Sequence, residues 1–170
     1  KNYINVGVCE QNMVNIASGI ALSDQNAKVI IYSIGNFPTL RCLEQIRNNI
    51  CYHKLKVLIV TNGVGFSYGQ LGMSHHATED FGIMRSLPYI EILSPCNDLD
   101  SYELTREWLI NGSLPSYLRL DKSKYKNSLP SINHSESYRI LNGRKDDKDI
   151  LEIYHGGIAS LLNDKKIEND

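Results

Sequence analysis

Val57-Leu58-Ile59-Val60-Thr61 leads directly into Asn62-Gly63-Val64-Gly65-Phe66-Ser67-Tyr68-Gly69-Gln70-Leu71-Gly72-Met73-Ser74-His75-His76. The first five residues are an apolar, β-branched run, which predicts a buried strand. The following segment, 62–76, carries four glycines: Gly63, Gly65, Gly69 and Gly72. A loop of that length in a compact chain is usually functional or mobile. In open parallel sheets, ligands bind where strands empty into such loops, at their carboxyl ends.

The segments on either side repeat the pattern. Upstream, residues 3–8 and 29–32 predict two further strands. Between them, residues 10–22 place Met13, Val14, Ala17, Ile20 and Ala21 at helical spacing. Gly19 in that helix costs about 1 kcal/mol against alanine, which predicts close packing against a neighbour. A polar, glycine-containing link covers 33–37. Pro38 then suits the first turn of a helix reaching residue 52, with Leu40, Leu43, Ile46 and Ile50 along it. Downstream, 78–87 predicts a short helix closed by Pro88, and 90–93 a strand. Asp98 is placed to cap a helix over 99–111 that ends near Gly112, and 116–120 predicts a fifth strand. Strands alternating with helices across short links predict an α/β fold, a mostly parallel β-sheet with helices on both faces. Segments 9–12, 33–37 and 62–76 would then share one functional edge.

Beyond Lys122 the composition turns polar. Residues 123–137 read as a linker, 138–141 and 149–154 as two more strands, and Gly156-Gly157 with 158–162 as a helix start. The expected division is one domain over 1–122, the linker over 123–137, and the start of an incomplete domain over 138–170.

Composition narrows the function classes. The chain has 170 residues, 42% hydrophobic and 22% charged, with a formal net charge of −1. It has no long run of one sign, so neither nucleic acid nor an anionic membrane is an expected partner. No apolar stretch approaches the roughly 20 residues that span a bilayer, and the amino terminus lacks a signal-peptide pattern. Cys9, Cys42, Cys51 and Cys96 form no C-x-x-C pair. They read as reduced, mostly buried thiols of a cytoplasmic protein.

Glu10 stands where a strand turns into a helix, with apolar residues on both sides. A glutamate there is commonly a helix-start residue favoured by the macrodipole. His75 and His76 follow the glycine-rich loop; a histidine in such a place is often structural or exposed. His75, His76, Glu79 and Asp80 have metal-ligating side chains, but their spacing gives no preferred geometry, and no metal is assigned to this chain. Glu79 and Asp80 read instead as loop anchors or helix caps.

Taken together, these residues carry a resemblance. Ile4-Asn5-Val6-Gly7-Val8-Cys9-Glu10-Gln11-Asn12 resembles the N-V-G-I-x-E-Q opening of the pyrimidine-binding domain in transketolases and deoxyxylulose-phosphate synthases. Met13 through Leu22 resembles the A-x-G-x-A helix that follows. Leu43-Glu44-Gln45-Ile46-Arg47 is similar to F-D/E-Q-I-R, and Gly72-Met73-Ser74-His75-His76-Ala77-Thr78-Glu79-Asp80 to G-x-S/T-H-x-x-x-E-D. Met84-Arg85-Ser86-Leu87-Pro88, Ser94-Pro95-Cys96-Asn97-Asp98 and Tyr117-Leu118-Arg119-Leu120 resemble L-R-x-I-P-N, x-P-x-D and Y-I-R-L. The matches fall in order across residues 2–122.

The resemblance implies a thiamine-diphosphate-binding fold in which this domain grips the cofactor's aminopyrimidine ring. A partner, the N-terminal diphosphate-binding transketolase subunit, would hold the diphosphate and Mg2+. It implies that Glu10 bonds ring nitrogen N1′ and favours the imino form that takes a proton from the thiazolium. Desolvation would raise the Glu10 pKa and the helix start would lower it, and both remain open. His75 is implied to hold substrate hydroxyls or transfer a proton, with His76 beside it. Ile34 and Phe37 are the candidates for the apolar contacts of the ring, because other aromatic residues of the family pattern are missing after the strand at 29–32. Arg119 would serve a sugar-phosphate substrate or a buried ion pair. The implied activity transfers a two-carbon ketol unit from a ketose phosphate to an aldose. The alternatives are a synthase using pyruvate and a non-catalytic interaction module. No G-D-G followed by N-N occurs, so a subunit or fragment acting across an interface is expected, in a hetero-oligomer with a second copy of itself.

Overall fold

A computed structural model describes residues 3–122 and 155–158. Helix α1 spans Glu10–Ser23 and strand β1 spans Val29–Ile34. Helix α2 begins as Leu43–Gln45 and widens into a π-helical turn, Ile46–Cys51. Then come β2 (Val57–Asn62), α3 (Asp80–Arg85), β3 (Glu91–Leu93), α4 (Asp98–Asn111) and β4 (Ser116–Leu120). The four strands are all parallel, in the order β1-β2-β4-β3. No helix among the described residues is long and apolar enough to cross a membrane.

Both faces of the sheet are covered, as a parallel sheet requires. On one face, Ile31, Val57, Ile59 and Tyr117 pack with Val14 and Ala17 of α1, Ile46 and Ile50 of α2, and Met84 of α3. On the other, Leu58, Val60 and Leu118 pack around Trp108 of α4. The buried residues of α1 are Glu10, Val14, Ala17, Ser18 and Ala21. That is one helical stripe, and Glu10 is its first member.

Several expectations need correction. Residues 3–8 are not a strand. Gly7 has φ +69° and its N–H is taken by Asn5 Oδ1 at 2.9 Å, a local turn that breaks extended backbone. Tyr3, Ile4 and Val8 are exposed. The helix after Pro38 begins later, at Leu43. Turns fill 35–42 because side chains compete for the backbone there: Thr39 Oγ1 donates to Asn36 O, and Cys42 Sγ to Phe37 O. The cap of α4 is Asn97, whose Oδ1 accepts from Asp100 N at 2.9 Å; Asp98 is the first helical residue. Gly19 is exposed, and a Cβ there would have nothing within 4 Å, so it marks no close packing. The strands expected at 138–141 and 149–154, and the linker, lie outside the described residues.

Candidate functional site

The carboxyl ends of β1 and β2 bring three separate segments together. Gly35 N donates to Asn62 O at 2.9 Å, and Asn36 Nδ2 to Ser74 O at 3.0 Å. Gly35 has φ +40°, and a Cβ on it would sit 3.2 Å from Gly63 O, so the two loops touch where only glycine fits. The start of α1 joins them: Ser33 Oγ, at the end of β1, donates to Glu10 Oε1 at 3.1 Å. Segments 9–12, 33–37 and 62–76, expected to share one edge, are therefore joined there.

Glu10 is 5% exposed. Besides Ser33, its carboxylate meets Arg41, whose Nη1 donates to Oε2 at 2.6 Å. Burial by itself would raise the pKa of this carboxyl. The Glu10 backbone N–H, the Arg41 guanidinium and the Ser33 hydroxyl together outweigh burial and hold it below the usual carboxylate value. The same packing pushes the neighbouring Cys42 thiol up to about 12, through burial first and the Glu10 charge second. Cys42 is thus an inert core thiol.

An aromatic chain extends from this pair. The Arg41 guanidinium lies 4.4 Å from the Phe37 ring centroid. Phe37 meets His75 edge to face at 5.3 Å, and His75 lies 6.5 Å from Tyr68. His75 Nδ1 pairs with Ser74 Oγ at 3.0 Å. His76 turns the other way, to Gly69 O and the ring of Phe66. The structure thus links Glu10, Phe37 and His75 and leaves His76 apart. Ile34 is half-buried at the last position of β1, opposite Asn62.

Arg119 stands on the same sheet face but two strands away, on β4. Its Nε donates to Asp80 Oδ2 at 2.6 Å and its Nη2 to Oδ1 at 3.4 Å. Tyr117 Oη donates to the same Oδ2 at 2.7 Å, with Thr61 Oγ1 behind it at 2.9 Å. Of the two readings of Arg119, the buried ion pair is present. Asp80, read as a loop anchor or helix cap, is the first residue of α3 and ties it to β4. Ser33 and Arg41 were not legible as site residues. Ser33 was placed in the polar link 33–37 with no role of its own, and Arg41 lies in a turn that the sequence presented as helix.

Comparison with known proteins bears on the family and the fold. Residues 1–128 match the family "Transketolase, pyrimidine binding domain". The chain is 32% identical over 143 residues to an apulose-4-phosphate transketolase subunit of Actinobacillus succinogenes, covering 84% of this chain and 43% of that protein. It is 32% identical over 98 residues to 1-deoxy-D-xylulose-5-phosphate synthase of Nitratidesulfovibrio vulgaris, covering 58% of this chain and 15% of the synthase. A solved structure, "Split gene transketolase, inactive beta4 tetramer", superimposes with a TM-score of 0.64 at 28% identity, over 75% of this chain and 39% of that one. The chain thus spans less than half the length of each of these three proteins. With a family match across three quarters of its residues, the chain belongs to the transketolase family, through its pyrimidine-binding domain.

Proposed function

We propose that this chain is the ring-holding part of a transketolase-type enzyme that moves a two-carbon ketol unit from a ketose phosphate to an aldose. Thiamine diphosphate would lie between this domain and a diphosphate-binding partner subunit, which also holds Mg2+. The observation that carries the reading is Glu10, a carboxylate buried at a helix start, whose bonded Arg41 guanidinium lies over the Phe37 ring and so occupies a slot between the two. A flat N–H group fits that slot, because the Arg41 guanidinium already makes both contacts. When bound, thiamine diphosphate supplies the nucleophilic carbon and the electron sink. Glu10 would bond ring nitrogen N1′ and share a proton there. Phe37 and Ile34 would give the ring its apolar walls. His75, on the far edge of Phe37, would meet substrate hydroxyls and carry a proton, and His76 would flank it. Arg119, steadied by Asp80, would offer its remaining N–H groups to the substrate phosphate.

A second reading, condensation of pyruvate with an aldehyde phosphate, is favoured by the similarity to a deoxyxylulose-phosphate synthase. Product analysis with a ketose-phosphate donor and with pyruvate, partner supplied, separates the two. Glu10→Ala in the reconstituted complex should lower turnover by about 100-fold or more. Its assembly, measured by light scattering, should be unchanged. Full turnover by that variant would remove the proposed role.

A further inference from the structure

Arg41 is half-exposed in the turn between β1 and α2, yet its guanidinium points at a buried group. Nη1 bonds Glu10 Oε2 at 2.6 Å, and the guanidinium carbon stands 4.4 Å from the centroid of Phe37. Its carbonyl accepts from Gln11 Nε2 at 3.1 Å, which ties the turn to the start of α1. The result is a flat, N–H-bearing group with one edge on a carboxylate and one face on an aromatic ring. An N–H heterocycle in this slot would make those same two contacts.

We infer that Arg41 is a built-in occupant of the ring slot, bonded to Glu10 until an aminopyrimidine displaces it; this rests on the reading of Glu10 as the group that holds the ring. Space is the first reason. Oε2 and the face of Phe37 are both taken, so a ring cannot have both while the guanidinium stays. Charge is the second. A carboxylate beside a guanidinium is a poor partner for sharing a proton, and the guanidinium's departure raises the carboxyl's proton affinity as the ring nitrogen arrives. The side chain can leave because it is already 44% exposed and needs little further hydration. Arg41 is therefore a positioning residue: it keeps Glu10 ionised and aimed at the slot when no ring is there.

The test uses the full chain, isotope-labelled, titrated with 4-amino-2,5-dimethylpyrimidine, the ring without its diphosphate. Chemical shifts of the Glu10 carboxyl and the Arg41 Nε–H report binding and displacement. As the ring binds, the Arg41 signal should move to the position of a free arginine. Arg41→Gln should bind the ring about fivefold tighter, the effect of removing one partly exposed competing ion pair. Arg41→Lys keeps the charge without the plane and should fall between; it also serves if the glutamine variant does not fold. Ring binding no tighter in either variant overturns the inference, and so does no binding in any of the three up to the solubility limit. Adding Glu10→Gln should abolish the gain. If Glu10→Gln leaves ring binding unchanged, the reading of Glu10 itself fails. A ring that needs Glu10 but binds beside an unmoved Arg41 sinks this inference alone.

Discussion

At the scale of single residues, the site is governed by where Glu10 puts its charge. The helix start, Ser33 and Arg41 stabilise the ionised form more than burial opposes it, so its pKa when folded lies below the unfolded value. Its contribution to stability is then complete above the ordinary carboxylate pKa and fades as the pH falls through the folded value. Thermal unfolding followed down the acid limb should show Glu10→Gln losing less stability on acidification than the unaltered chain. Parallel curves would contradict the ion pair. That Glu10 is a candidate was legible from its position and from its neighbours in sequence. Which way its pKa moves was not, because the deciding cation, Arg41, comes from a turn thirty-one residues on.

Among the elements, α1 and the glycine loop carry the design. One stripe of α1 both packs the sheet and buries Glu10, so the helix cannot rotate without losing the core or the carboxylate. The two kinds of glycine in these elements should behave oppositely. Gly63 has φ +80°, and a Cβ would fall 2.1 Å from the Tyr68 ring. Gly63→Ala should lose about 1–3 kcal/mol through strain and overpacking. Gly19 sits in open space within a helix, so Gly19→Ala should gain up to about 1 kcal/mol. Urea unfolding of both variants checks the pair; equal signs would mean that the loop packing is wrong. The sequence suggested close packing at Gly19 and only a glycine-rich loop at Gly63, since local pattern cannot say whether a neighbouring ring fills the space.

For the whole molecule, the buried Glu10 carboxylate is bonded to an arginine whose side chain is 44% exposed. The glycine loop beside it exposes Phe66, Leu71 and Met73. Without a diphosphate-binding partner the chain should bind thiamine diphosphate weakly. Calorimetry should show little heat for the chain alone and clear binding when the partner and Mg2+ are added; tight binding by the chain alone would contradict a shared site. The sequence by itself determined the α/β class, the helix at 10–22, the buried run at 57–61 and the family. Those depend on periodicity and on short motifs, which are properties of neighbours along the chain. Only the tertiary structure decided the β1-β2-β4-β3 order, the turn that replaces a strand at Gly7, the commitment of Arg119 to Asp80 and the seat of Arg41 on Glu10. Each of these joins groups distant in sequence or turns on competition between side chain and backbone, and their energies exist only once the chain has folded.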